Sequence, residues 1–248
     1  MTRRGLLKAS GAVLKAAAAV ATLSAPAIAA PGQGPKTLLV AGQSLAVAWK
    51  SPEVQAAFRA EAGDDWNVVV AAKGGTSALP WGNGLRAWTA PHAEIGPVLA
   101  MAMQTVQAMP APPAVLLWSQ GQADGAVFEG CGLSPEEFTA AYVRAVLRIL
   151  MTLRKTAAGS RWRDIPVLVQ MIGWRRDPET GAVYEPPGYA LVRLAQTMLV
   201  AEYGRSHNLH MGPVQTPWDE LYDEVHPVTK TYCRFAGDAG KSARELVE

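Results

Sequence analysis

The sequence predicts an α/β fold in three layers, with helices covering both faces of a parallel sheet. Three observations predict it. Apolar runs of strand length alternate with helical patterns along the chain. Those runs are continuous rather than alternating with polar residues, as expected of strands buried on both sides. The right-handed crossover rule then makes a flavodoxin-like α/β/α arrangement the economical choice.

The elements follow in order. Residues 1–29 stand apart: Thr2-Arg3-Arg4-Gly5-Leu6-Leu7-Lys8 leads into an alanine-rich apolar stretch that ends in Ala27-Ile28-Ala29. Arg3, Arg4, Lys8 and Lys15 are its only charges, and the pattern predicts a twin-arginine export signal with an Ala-x-Ala cleavage site. Export through the twin-arginine translocase to the periplasm or beyond is the corresponding expectation. Pro31-Gly32-Gln33-Gly34-Pro35 places a short linker over 30–36, and one domain fills 37–248. Strands are expected at 37–42, 67–72, 114–118, 165–171 and 209–214, where Val, Leu, Ile and Ala cluster between turn residues. Helices are expected at 52–62, 94–109, 135–157, 187–205 and 228–247. The third has a clear start, with Ser134 as N-cap, Pro135 in the first helical position and an acid at the third. Two connections are long for such a fold, Thr76 to His92 and Gly173 to Gly188. The first carries Trp81 and Trp88, the second Trp174, Arg175, Arg176 and Tyr184. Rings on loops beside a polar site suit sugar faces, and Trp81 and Trp174 are the candidates.

Composition narrows the function. With 248 residues, 49% of them hydrophobic, the chain can bury one core well and two only awkwardly. Removal of the four basic residues of the signal from a total of 23 leaves 19 against 21 acidic residues. That near-neutral balance gives no reason to expect nucleic acid or an anionic membrane as partner. After the signal, no apolar stretch is long enough to span a bilayer. Cys131 and Cys233 lack metal-like spacing, and oxidation to a disulfide or two separate thiols are both open.

Four separated pieces carry the chemistry: Gly42-Gln43-Ser44, Gly74-Gly75, Trp118-Ser119-Gln120-Gly121-Gln122-Ala123-Asp124 and Asp223-Glu224-Val225-His226-Pro227. An aspartate three residues before a histidine can hold one imidazole nitrogen and leave the other to take a proton from a serine. Ser44 follows the first apolar run, so its hydroxyl sits at a strand's carboxyl end, where open α/β sheets place their chemistry. Ser44 as nucleophile, His226 as base and Asp223 as orienter form the expected triad. The serine could equally cap the helix that follows, and the two roles are compatible. Of the other histidines, His92 precedes a helix and His207 and His210 flank the last strand, and all three are expected to be structural. No metal or cofactor is expected.

These four pieces, in this order, resemble the blocks of the SGNH hydrolases, in the branch of sialate O-acetylesterases and carbohydrate acetylesterases. The resemblance spans most of the chain after the signal. It implies a parallel three-layer SGNH sheet and an ester hydrolase that deacetylates a carbohydrate through an acyl-enzyme. It also implies an oxyanion hole from the Ser44 N–H, the Gly75 N–H and the Gln120 side-chain amide, with Gln43 near substrate. Asp124 is expected to tie loops together and Trp118 to pack beneath its block. The chain departs from the pattern at Leu45, where the branch has Asn, and at Gln122, where it has Glu. A lipase- or thioesterase-type esterase of the same superfamily is the neighbouring reading, and a catalytically silent sugar-binding protein on the same fold is the rival from another class. A nucleotide-binding flavodoxin-like domain fits less well, because Gly42-Gln43-Ser44-Leu45 is a poor phosphate loop.

Overall fold

The apolar runs become neighbouring strands. The computed structural model describes residues 34–80, 86–91 and 94–248. In chain order it forms β1 (Lys36–Gly42), α1 (Ser44–Val47), α2 (Pro52–Ala62), β2 (Trp66–Ala72), α3 (Pro97–Gln107), β3 (Val115–Ser119) and α4 (Gln122–Ala126). There follow α5 (Pro135–Ala158), β4 (Val167–Met171), β5 (Arg175–Arg176), β6 (Val183–Tyr184), α6 (Pro187–His207), β7 (Leu209–Val214) and α7 (Thr229–Val247). The expected signal, the first residues of the linker, Trp81 and His92 lie outside the described residues.

The main sheet has the order β2-β1-β3-β4-β7, with every pair parallel. Its two faces follow from strand periodicity. Leu39, Ala41, Leu116, Trp118, Val167 and Val169 join one core with α3, α5 and α6. Leu38, Val40, Val115, Leu117 and Leu168 join the other with α2 and α7. Cys131 packs against the first core and Cys233 against the second, so the sheet lies between them and both are free thiols.

Local chemistry sets the helix ends. Ser134 accepts from the Glu137 N–H at 3.2 Å while its own N–H donates to the Glu137 carboxylate at 2.9 Å, so the N-cap anticipated before α5 is one half of a capping box. By contrast α3 starts at Pro97, three residues later than expected. Ile95 pairs with Thr89, and the Gly96 N–H donates to the Trp88 carbonyl at 3.0 Å, so residues 94–96 serve the preceding loop. The short α1 and α4 and the β5–β6 hairpin were not anticipated.

β1 and β3 are adjacent, yet the chain leaves them toward opposite edges of the sheet, and a crevice opens at their carboxyl ends. There the two strands come unusually close. Gly42 has φ of +145°, the Gln43 N–H donates to the Ser119 carbonyl at 3.0 Å, and a Cβ on Gly42 would lie 1.9 Å from that oxygen. Only glycine fits both the angle and the space. Gly42→Ala is therefore expected to lower unfolding free energy by about 3 kcal/mol or more, read as a lower urea midpoint. A midpoint equal to that of the parent would show that β1 and β3 need not approach here.

Candidate active site

The crevice gathers three of the four sequence blocks, and the fourth closes over it. Ser44 opens α1 directly after β1, and α1 is so short that it serves to turn the chain away from the sheet. Its N–H is at a helix start and has no protein acceptor among the described residues, nor has the N–H of Gly75. Gly75 has φ of +66°, a left-handed backbone that aligns the Gly74–Gly75 turn beside the serine. A Cβ on Gly74 would sit 4.0 Å from that of Ser44.

Asp223 and His226 come from the loop between β7 and α7. The Asp223 carboxylate meets His226 Nδ1 at 2.7 Å, and its other oxygen accepts from the Val225 and His226 N–H groups at 2.8 and 2.7 Å. Partial burial pushes the Asp223 carboxyl up, but these backbone donors and the imidazole outweigh it and hold the group below the usual carboxylate range. With Nδ1 turned to a carboxylate, Nε2 is the ring nitrogen left to accept a proton. Ser44 and His226 line one cavity of about 420 Å³, together with Gly74, Val47, Tyr222 and Tyr232. No hydrogen bond joins the serine to the imidazole, and such contacts commonly tighten only with substrate bound.

The His226 loop is braced on both flanks. Glu224, between the two residues of the pair, forms an ion pair with Arg175, and its carbonyl accepts from the Arg176 N–H at 2.8 Å. The β5–β6 hairpin thus grips the loop through side chain and backbone. On the other flank, Asp219 accepts from the Thr216 N–H at 2.6 Å and from Arg234 of α7 at 2.8 Å.

Beneath the crevice lies a buried polar network. The Gln120 amide nitrogen is within 2.9 Å of Gln43 Oε1, 2.6 Å of the Thr76 carbonyl and 3.0 Å of Asp124 Oδ2. Three acceptors around one atom identify it as the nitrogen, and they exceed its two hydrogens. Gln120 is therefore committed within the frame under the site and, in this arrangement, has no hydrogen left for an oxyanion. Gln43 is likewise buried: it donates to Gln122 Oε1 and accepts from Gln120 and from the Ala123 N–H at 3.3 Å. Its side chain is a strut rather than a substrate contact. Asp124 accepts from the Ala78 and Leu79 N–H groups at 3.0 Å each and binds the long loop to the third block, the loop-tying role expected of it.

The two departures are absorbed locally. Leu45 is buried in the apolar core under α2 and α7, where Asn would need a polar partner. Gln122 supplies the acceptor for Gln43 that a glutamate would supply, without adding charge to the network. Trp118 packs edge-on to Trp88 at 5.0 Å, as a packing role requires. Trp174 is half-buried beside the Arg193 guanidinium, 5.5 Å from its ring centre. His207 and His210 sit at the opposite end of the sheet, at the start of β7. Among the described residues no group of three or more His, Cys, Asp or Glu side chains could hold a metal ion. No described helix is long and apolar enough to cross a membrane.

Sequence reading missed Tyr222. Its ring stacks on the His226 imidazole, with centroids 5.7 Å apart and planes 19° apart. Its position four residues before a histidine already singled out was the available signal.

Burial pushes the Asp124 carboxyl up to about 6, against the pull of its N–H and amide donors. Unfolded, the group titrates near 3.8, so between the two values the folded protein binds the extra proton. This residue's contribution to stability then falls as pH rises from about 4 to 6, by roughly 3 kcal/mol at most. Urea titrations across this range should show the parent protein losing more stability, or gaining less, than Asp124→Asn as pH rises. Equal slopes would contradict the assignment.

No protein-family model matches the chain, and no curated protein matches its sequence. Its likeness is structural. Est24, a carbohydrate acetylesterase from Sinorhizobium meliloti, superposes with a TM-score of 0.58 at 14% identity, over 85% of this chain and 99% of that one. A carbohydrate acetylesterase family member from the same organism gives 0.56 at 13% identity, over 86% and 99%. The M. smegmatis aryl esterase gives 0.54 at 15%, over 85% and 99%. At such identities the shared property is architecture: a five-stranded parallel sheet between helices, in the fold of the SGNH hydrolases.

Proposed function

We propose that the protein is a serine ester hydrolase that removes acetyl groups from a carbohydrate, without a metal or other cofactor. The observation that carries this reading is the Asp223–His226 pair, joined at 2.7 Å, on a cavity that Ser44 also lines. Ser44 Oγ attacks the ester carbonyl while His226 Nε2 takes its proton. The same imidazolium then protonates the leaving alcohol, giving an acyl-enzyme that water hydrolyses by the reverse transfers. Asp223, kept ionised by its donors, fixes the tautomer and stabilises the imidazolium. The N–H groups of Ser44 and Gly75 are the donors for the tetrahedral oxyanion. Gln120 contributes indirectly, because its bond to the Thr76 carbonyl holds the chain that follows Gly75. The carbohydrate and acetyl parts of the reading draw on the block pattern and on the acetylesterases that share the fold.

We infer as well that the chain is exported by the twin-arginine translocase and acts in the periplasm or outside the cell. This rests on Arg3-Arg4 and the Ala27-Ile28-Ala29 site.

Hydrolysis of short acetyl esters should fall at least about a thousandfold in Ser44→Ala with the fold retained. Activity equal to that of the parent would remove Ser44 from the chemistry. Asp223→Asn should cut turnover by roughly three to four orders of magnitude while binding changes little. For export, a reporter fused to residues 1–35 should leave the cytoplasm and be retained when Arg3→Lys and Arg4→Lys are combined. Undiminished export of the double variant would point to another route.

A further inference from the structure

Six of the tryptophans in the described residues, 49, 66, 88, 118, 162 and 174, are buried or half-buried, whereas Trp218 is 89% exposed. It is not on a loose segment. It lies in a turn closed by the Asp219 N–H donating to the Thr216 carbonyl at 3.2 Å, and Asp219 is pinned to α7 by Arg234 at 2.8 Å. Four residues on, Tyr222 is 67% exposed, although one face of its ring lies on the His226 imidazole. Its N–H donates to the His226 carbonyl at 2.9 Å, and the Val228 N–H donates to the Glu220 carbonyl at 3.0 Å, so both rings ride on one bonded loop. Large exposed rings on a hydrogen-bonded loop gain little from folding and offer flat apolar area to a ligand.

The chemistry says which part of a substrate would meet them. His226 must hand its proton to the leaving alcohol, so the alcohol half of the ester leaves along the imidazole, the ring on which Tyr222 stacks. This step rests on the ester-hydrolase reading. An acyl chain would seek an enclosed apolar slot. An open ring on a loop that also exposes Glu220 suits a ligand with C–H faces edged by hydroxyls. We propose that Tyr222 and Trp218 form a stacking platform for the alcohol half of the substrate, a pyranose unit of a glycan.

The test has a binding arm and a kinetic arm. In the first, Ser44→Ala protein is titrated calorimetrically with acetylated xylohexaose, with and without Trp218→Ala. The platform predicts measurable binding that weakens about tenfold when Trp218 is removed. No binding at millimolar ligand, or equal affinity with and without Trp218, overturns it. In the second, kcat/KM is compared for acetylated xylohexaose, phenyl acetate and ethyl acetate. Trp218→Ala should lower the ratio of glycan ester to ethyl acetate about tenfold. An unchanged ratio, or loss confined to phenyl acetate, overturns the glycan assignment, and a shift in sedimentation with no glycan effect would make Trp218 a protein contact instead. If the parent protein hydrolyses none of the three esters, the ester-hydrolase reading fails, while the binding arm still decides the platform.

Discussion

The site depends on how closely the ends of β1 and β3 approach. Gly42 lets the chain after β1 pass within hydrogen-bonding distance of the Ser119 carbonyl, and this brings the Gln43 side chain onto Gln120 and Ala123 of the third block. From that contact the buried network spreads, to the Thr76 carbonyl, to Asp124 and through it to Ala78 and Leu79. Buried polar groups of this kind are costly to strip of their partners, and apart from Gln120 Oε1 the side-chain polar atoms of Gln43, Gln120, Gln122 and Asp124 that lie in the network are bonded across the three blocks. The nucleophile loop, the Gly74–Gly75 turn and the third block are therefore parts of one unit. A substitution in the network should be felt at Ser44 although none of its side chains need touch a substrate.

The Asp223–His226 pair is held by separate means. The Asp223–His226 loop hangs from β7 and is braced by the β5–β6 hairpin through Glu224 and by α7 through Asp219. Partly exposed ion pairs such as Arg175–Glu224 contribute little to global stability. Their consequence is geometric, because small displacements of a base from its nucleophile are expensive in rate. The proposed nucleophile and base thus sit on two supports, one buried and the other nearer the surface. The cavity between them is lined by both Ser44 and His226.

Much of this was legible in the sequence, for identifiable reasons. The inner strands β1, β3 and β4 are buried on both faces, so their apolar runs stand out, and Ser134-Pro135 with Glu137 marks a helix start by local hydrogen bonding alone. The α5 and α7 limits lie within a residue of expectation. What escaped depends on tertiary contact. Strands of two residues carry no periodicity, so the β5–β6 hairpin is invisible until Glu224 meets it. The delayed start of α3 reflects the pairing of Ile95 with Thr89. For the site, the residue types were readable but their roles were not. An amide such as Gln120 has the chemistry of an oxyanion donor, and only the three acceptors around it reveal that its hydrogens are spent. Trp174 and Trp218 look alike in sequence, yet one is tucked beside Arg193 and the other stands in water.

The central claim is that Ser44 attacks an ester whose oxyanion is met by backbone N–H groups, on a frame that Gln43, Gln120 and Asp124 hold rigid. A crystal structure of the protein after reaction with a fluorophosphonate tests it most directly. The account predicts a covalent bond from phosphorus to Ser44 Oγ, the phosphoryl oxygen within hydrogen-bonding distance of the Ser44 and Gly75 N–H groups, and Gln120 still bound to Gln43, Thr76 and Asp124. An unmodified Ser44, or a Gln120 amide that has left its three acceptors to reach the phosphoryl oxygen, would contradict it.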